Sequence, residues 1–200
     1  MLNKTSNSKA QEAAEDVFFG QIVIIWARWF LIAAGAVIAL WSATDENQLI
    51  LAILVLVVLM GMNFFVHGRY ITGQPVNKFL LLFANLIDVA VITSMVLFWP
   101  GQKGLDSNFF ILYYPILLAW ALVFSPEITI FFSLITLAVY AAACLLGSDT
   151  QFVLSITGFE TLVARLVTLG AMGGLGTYYY RRQRDSLRAL TARPLPAFFK

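Results

Sequence analysis

Two charged side chains stand inside long apolar runs of this sequence, Arg28 in one run and Asp88 in another. An ionisable group surrounded by hydrocarbon is costly, and it persists where it is paired, reaches an interface or lines a cavity. An arginine and an aspartate can satisfy each other by a charge-assisted hydrogen bond, and both then keep their charge. Asn63 and Asn85 lie in the same region of the pattern, and their amides can bond to such a pair. The sequence therefore predicts a buried polar layer built from these four residues, which serves either as packing or as a ligand site or switch.

The composition indicates what surrounds this layer. Hydrophobic residues make up 60% of the 200 residues, charged residues make up 12%, and the mean hydropathy is +0.82. A soluble domain carries roughly 25% charged residues, so this apolar excess has to face lipid. Runs of about 20 residues, as long as a bilayer is thick, cover residues 17–43, 48–67, 79–99, 108–124, 128–146 and 158–180. They are apolar on every face, without the alternation of barrel strands, which predicts an all-α, polytopic integral membrane bundle of six transmembrane helices.

Lysine and arginine set the predicted orientation. Ten of the 13 fall within 1–16, 68–78 and 181–200, and only Lys103 falls on the other side. Because positive residues that flank a span stay in the cytoplasm, both chain ends are predicted to be cytoplasmic. Trp41, Trp99 and Tyr178–Tyr180 stand near predicted helix ends, as in an interfacial aromatic belt.

The predicted domain organisation has three parts. Residues 1–16 form a polar segment without a cleaved targeting sequence; it is expected to be loose, with a short amphipathic surface helix over Gln11–Phe19 as the alternative. Residues 17–180 form the transmembrane domain, and residues 181–200 form a basic tail. In this orientation Arg28 and Asp88 both lie roughly 12–14 Å from the cytoplasmic ends of their helices, at 1.5 Å per residue. Their matched depth predicts that they meet.

A second candidate site lies in the outer half of the predicted bundle. Arg165 stands in the sixth helix, and Glu160, five residues before it, does not share its face well. Arg165 is expected to extend outward or to meet a partner from another helix, with packing as the simpler role. Pro115, after Tyr113 and Tyr114, predicts a kink in the fourth helix, and such a kink can widen an outer cavity.

Gly170 and Gly174 have the spacing of small residues at which two helices approach closely. They predict a contact of the sixth helix with another subunit, with a second copy of the chain, or with a helix of the same chain. The sequence leaves these alternatives open.

Several kinds of chemistry lack the residues they need. His67 is the only histidine, at the basic side, and Cys144 is the only cysteine, inside an apolar run. No nucleophile has a neighbouring base, and no carboxylate or histidine cluster has the pattern of a metal site. We therefore expect no catalytic residue, no metal and no cofactor. A net charge of +2 gives little support to nucleic-acid binding.

The pattern resembles the N-terminal membrane-embedded input module of bacterial sensor histidine kinases, over about residues 20–190. The features that carry the resemblance are Trp26-Ala27-Arg28-Trp29, Asn63-Phe64-Phe65, Asp88, Tyr113-Tyr114-Pro115, Ser125-Pro126, Arg165 and the arginine-rich segment from Tyr180 to Leu187. After Arg193-Pro194 there is no phosphoacceptor histidine and no ATP site. The resemblance implies an input module without its kinase portion, in the bacterial cytoplasmic membrane.

Three functional hypotheses follow. The first is a non-catalytic, sensor-like module that binds a signal or partner within the membrane and acts through other proteins. The second is an accessory subunit of a larger membrane complex, such as an energy-transducing assembly. The third is a small-molecule transporter, for which inverted repeats are not obvious. The expected partners are the lipid bilayer and other membrane subunits or a second copy of the chain.

Overall fold

A computed structural model of the chain describes residues 2–74, 76–148 and 155–191. Within these ranges all the regular structure is helical, which confirms the all-α prediction there. The α-helices are α1 (Leu2–Ser42), α2 (Glu46–Ile71), α3 (Lys78–Phe98), α4 (Tyr113–Val123), α5 (Pro126–Gly147) and α6 (Ile156–Thr191), and the 3₁₀ helices are Gly104–Asp106 and Asn108–Leu112.

Four segments of the described chain are long and apolar enough to cross a membrane: Gly20–Ser42, Glu46–Ile71, Phe79–Phe98 and Pro126–Gly147. Asn108–Val123 is a shorter apolar stretch, and α6 is outside this set. Several such helices in one chain indicate a multi-pass membrane protein. Six spans and their orientation stay predictions.

Local chemistry explains where the helices begin. The Asp45 side chain accepts a hydrogen bond from the Gln48 backbone at the start of α2, and the Asn77 side chain accepts one from Phe79 at the start of α3. These carboxylate and amide oxygens satisfy backbone N–H groups that have no partner inside the helix. Pro126 opens α5, where its missing N–H costs nothing.

The helices alternate in direction, so the bundle has two distinct ends. The basic end is the one that holds Gly20, Val76, Val123 and Gly176. Gln21 of α1 bonds there to Val66 and Val76. A Cβ at Gly20 would lie 2.8 Å from Val123, and one at Gly176 would lie 2.6 Å from Ala121. The sequence pattern had placed most lysines and arginines on this same side.

The opposite end, called the distal end, holds Asp45, Trp99, the two 3₁₀ helices and Ser148. The Leu105 backbone N–H donates to the Ser148 hydroxyl at 2.7 Å, which ties the α3–α4 connection to the end of α5. Gly104 has a φ of +56°, and a side chain there would run into Ser148. Only glycine combines this backbone conformation with so close a contact.

The packing order explains how the candidate sites are assembled. α1 packs mainly against α2 and α4, whereas α6 packs against α4 and α5, and α3 packs against α5. The backbones of α1 and α3 have few close contacts, so only long side chains link these two helices directly.

The first and last described helices extend beyond the apolar runs. α1 begins at Leu2 and continues without a break into the first apolar run. The chain likewise passes residue 180 without a break, since α6 continues to Thr191. Residues 9–15 are rich in the helix formers alanine, glutamate and glutamine, and residues 181–191 are rich in arginine and leucine, which also favour a helix.

In the fourth run, the structure differs from the expected kink at Pro115. The α-helix begins only at Tyr113, so Pro115 lies in its first turn, where proline breaks no established hydrogen bond. A 3₁₀ helix over Asn108–Leu112 precedes it and provides the change of direction.

Of the aromatic residues expected near helix ends, Trp41 is 90% exposed, whereas Trp99 is only 3% exposed. The interfacial aromatic belt itself stays a prediction. Trp99 turns inward because its ring packs against Phe109 of the 3₁₀ helix, at 5.0 Å between ring centroids.

Candidate functional site

Arg28 and Asp88 form an ion pair between α1 and α3. The distance from Nη2 of Arg28 to Oδ1 of Asp88 is 3.1 Å, and the side chains are 2% and 1% exposed. The predicted contact is therefore present. Both residues lie in segments apolar enough to cross a membrane, so each charge compensates the other where water cannot.

The two asparagines take part in this region differently from the prediction. Both are buried, but each donates its amide to a backbone carbonyl: Asn63 to Ile25 at 3.4 Å and Asn85 to Leu81 at 2.9 Å. Neither amide nitrogen bonds to the ion pair. The carbonyl of Ile25 lies one turn before Arg28, so Asn63 holds α2 against the part of α1 that carries the arginine.

Several polar atoms of this layer have no hydrogen-bond partner among the described residues. In the described part of the chain, Nε and Nη1 of Arg28, Oδ2 of Asp88 and Oδ1 of Asn63 have no hydrogen-bond partner. Buried polar atoms are normally bonded, and in hydrocarbon an unbonded one is costly. Whether this layer serves as packing or as a ligand site, ion path or switch stays a prediction.

Gln21 is a buried polar residue of α1, two turns from Arg28 towards the basic end, that the sequence reasoning missed. It is fully buried, its Nε2 donates to the Val66 carbonyl at 2.9 Å, and its Oε1 accepts from the Val76 backbone at 3.0 Å. The Gln21 side chain thus holds the α2–α3 connection against α1. The signal was available, because Gln21 stands seven residues before Arg28 and so shares its helix face.

Arg165 of α6 contacts three other segments instead of extending outward. Its Nη1 donates to the Ser107 carbonyl at 3.3 Å and to the Tyr140 hydroxyl at 3.2 Å. Its guanidinium carbon lies 3.8 Å from the centre of the Phe110 ring. A cation over an aromatic face is attracted by the ring's electron density. We call Arg165, Ser107, Tyr140 and Phe110 the Arg165 cluster.

The two tyrosines of the predicted outer site lie beside this cluster. Tyr113 shares a hydrogen bond of 2.7 Å with Thr93 of α3, and its ring centre lies 5.5 Å from that of Tyr140. Tyr114 shares one of 2.8 Å with Thr168 of α6. The structure therefore joins Arg165 and Tyr113 through Tyr140.

Pro115 lies elsewhere, in a lipid-facing groove of about 520 Å³ between α1, α4 and α6, which is lined by residues including Trp26, Phe30 and Met172. Tyr114 lines the same groove.

The glycines of α6 divide into two faces. A Cβ at Gly173 would lie 3.0 Å from the Ser133 hydroxyl of α5, and one at Gly176 would lie 2.6 Å from Ala121 of α4. These two glycines make the close contacts within the chain. The predicted pair is more open: a Cβ at Gly170 would lie 3.7 Å from Leu137, and nothing lies within 4 Å of a Cβ at Gly174.

In the described ranges, no three histidine, cysteine, aspartate or glutamate side chains lie together in a way that could hold a metal ion. No model of a protein family, no curated protein and no solved structure matches this chain. The fold defines the class of the protein, an all-α protein with several helices apolar enough to span a membrane.

Proposed function

We propose that this chain is a non-catalytic, sensor-like membrane protein, which binds a signal or partner among its helices and acts through other proteins. The proposal includes six spans, both ends in the cytoplasm and a place in the bacterial cytoplasmic membrane. The resemblance to the input modules of sensor histidine kinases supports it, and one feature of α6 carries it.

That feature is that α6 runs as one unbroken helix from the Arg165 cluster to a point beyond the basic end of the bundle. The helix has 36 residues, or about 54 Å at 1.5 Å per residue, which exceeds a hydrocarbon core of about 30 Å. A rigid helix transmits a displacement at one end to the other. Because Arg165 is held by Ser107, Tyr140 and Phe110, anything that moves these three groups moves α6.

The experiment measures whether the Arg165 cluster positions the far end of α6. Spin labels on Gly68→Cys in α2 and Tyr179→Cys in α6, both exposed, report the distance between them at the basic end, in a Cys144→Ser background in lipid nanodiscs. Arg165→Leu and Tyr140→Phe should each shift the distance distribution by about 1–2 Å or broaden it, the size of helix shifts in known switches.

Tyr178→Phe is the matched control. Among its described contacts, the Tyr178 hydroxyl accepts a single hydrogen bond, from Arg182 on the same helix. This substitution should leave the distribution unchanged. Identical distributions for wild type, Arg165→Leu and Tyr140→Phe, with the fold intact by circular dichroism, would contradict a transmitting role for α6.

A second candidate function, an accessory subunit of a larger membrane complex, is favoured by the open face of α6. A groove of about 420 Å³ between α5 and α6 is lined by Gly170, Gly174 and Thr177 among others. Small residues of this kind let the helix of another subunit, or of a second copy, approach closely. Purification from native membranes in mild detergent distinguishes the two functions. A stoichiometric assembly that Gly174→Leu disrupts supports the accessory role, whereas a monomer or a homodimer supports the sensor.

A further inference from the structure

A lateral groove separates α2 from α3 at the distal end. α2 packs mainly on α1 and α3 mainly on α5, so the two helices diverge there. The groove has a volume of about 700 Å³, and its walls are apolar side chains that include Leu51, Val55, Ile87, Val91 and Met95. Sites for small molecules measure about 300–1,000 Å³, so the groove has the size of a ligand site.

The mouth of this groove is polar and carries one negative charge. Asp45 is the only ionisable residue among those that line it, and Asn47 and Gln48 lie beside it. Oδ1 of Asp45 accepts the Gln48 backbone N–H at 2.8 Å, which holds the carboxylate in place. A carboxylate has further lone pairs that can accept from a cationic group. The Asn47 amide adds two donors at the same level.

Trp99 also lines the groove. Trp99 is 3% exposed, and its indole N–H has no hydrogen-bond partner in the described structure. Phe109 packs against the ring and fixes it. A buried tryptophan N–H normally has an acceptor. A ligand that offers a carbonyl oxygen at this depth supplies one.

We propose that this groove binds an aminophospholipid of the phosphatidylethanolamine type. Its ammonium group pairs with Asp45, its phosphate accepts from the Asn47 amide, an ester carbonyl accepts from Trp99, and one acyl chain lies along α3 towards Ile87. The ammonium group, the phosphate and the ester carbonyl follow one another along the lipid. Each of them meets a protein group that can pair with it. The site is separate from the Arg28–Asp88 pair and does not depend on a signalling role for α6.

The test uses the full chain in nanodiscs of phosphatidylglycerol and two photoactivatable lipids with the same diazirine-bearing acyl chain. One probe has an ethanolamine headgroup and the other a glycerol headgroup. Mass spectrometry maps the labelled residues. The ethanolamine probe should label Val91 and Met95 about fivefold more than the glycerol probe, the size expected of one exposed ion pair.

Asp45→Asn should remove this preference. Asparagine is as good a helix cap as aspartate, so α2 keeps its start while the charge is lost. Asp106→Asn is the matched control, since Asp106 is an exposed carboxylate at the same end but outside the groove. Trp99→Phe should reduce labelling by both probes, because both have ester carbonyls.

Ala90→Phe tests whether the labelled site is the groove itself. Ala90 is exposed and lines the groove, so a phenyl ring there should fill it and abolish labelling by both probes. Ala142→Phe, at an exposed position of α5 outside the groove, should not. Equal labelling by the two probes, an unchanged preference in Asp45→Asn, or labelling that persists in Ala90→Phe would each overturn the proposal.

Discussion

Replacing either Arg28 or Asp88 by leucine should destabilise the protein far more than replacing both. The two side chains are almost completely buried and 3.1 Å apart at their closest charged atoms. Removing one partner of a buried pair typically costs about 3–5 kcal/mol, because the survivor is left uncompensated. Only one close contact joins this pair, and other atoms of both groups already lack partners. We therefore expect the lower part of this range, about 3 kcal/mol for each single change.

The two single variants should differ in a defined direction. In Arg28→Leu the remaining carboxylic group can become neutral by taking up a proton, whereas in Asp88→Leu the remaining guanidinium keeps its charge. Asp88→Leu should therefore be the more damaging change. The double variant places two leucines where α1 faces α3, and such replacements of buried pairs are often neutral or stabilising.

The measurement is unfolding of the purified protein by SDS in mixed micelles, followed by tryptophan fluorescence. Additive single effects would give about 6 kcal/mol for the double variant, whereas a pair in contact should leave it within about 2 kcal/mol of the wild type. The cycle of Arg69→Leu with Asp88→Leu is the control and should be additive, because Arg69 is exposed at the end of α2. Additivity in the Arg28–Asp88 cycle would refute the ion pair.

Three further predictions concern the bundle. Gly176→Ala should destabilise it by about 1–3 kcal/mol in the same assay, since its Cβ would lie 2.6 Å from Ala121; Gly174→Ala, with open space around it, should not, and equal effects would contradict the assigned faces. Gln21→Leu should cost about 1–3 kcal/mol because it leaves the buried Val76 N–H without the acceptor that Gln21 provides, whereas the exposed Gln74→Leu should cost little; equal stability of the two variants would contradict the role of Gln21. A reporter fused after Lys200 should be cytoplasmic, and cysteines at Glu46, Lys103 and Ser148 should react with an impermeant reagent from outside; protection of any two of these would contradict the proposed topology.

The sequence was sufficient to predict the features that depend on composition and depth. The helical class follows from uniformly apolar runs, and the contact of Arg28 with Asp88 follows from matched depth and the cost of an isolated charge. The bonds of Asn63 and Asn85 could not be predicted, because an asparagine in a helix can bond either to a nearby carbonyl or to a distant group. Which acceptor it uses depends on the spacing of the helices, which no single run specifies.

Features that depend on irregular backbone were also beyond prediction. Arg165 bonds to the carbonyl of Ser107, which is available because it lies between two 3₁₀ helices, outside any regular α-helical pattern. The inward position of Trp99 has the same origin, since its partner Phe109 belongs to the second 3₁₀ helix. A hydropathy profile shows residues 108–124 as one uniform run and gives no sign of this change of backbone.

The two arginines of the apolar segments are stabilised in different ways, and this difference bears on their roles. Arg28 is fully enclosed and has a carboxylate, so moving it requires breaking an ion pair in hydrocarbon, which is a large and two-state change. Arg165 is only half-buried and is held by a carbonyl, a hydroxyl and an aromatic ring, which are neutral groups. An anion that approaches Arg165 therefore has only neutral groups to displace among the described contacts. Under the proposed function, the Arg165 cluster is therefore the place expected to respond to a signal, and the Arg28–Asp88 pair is the place expected to stay fixed.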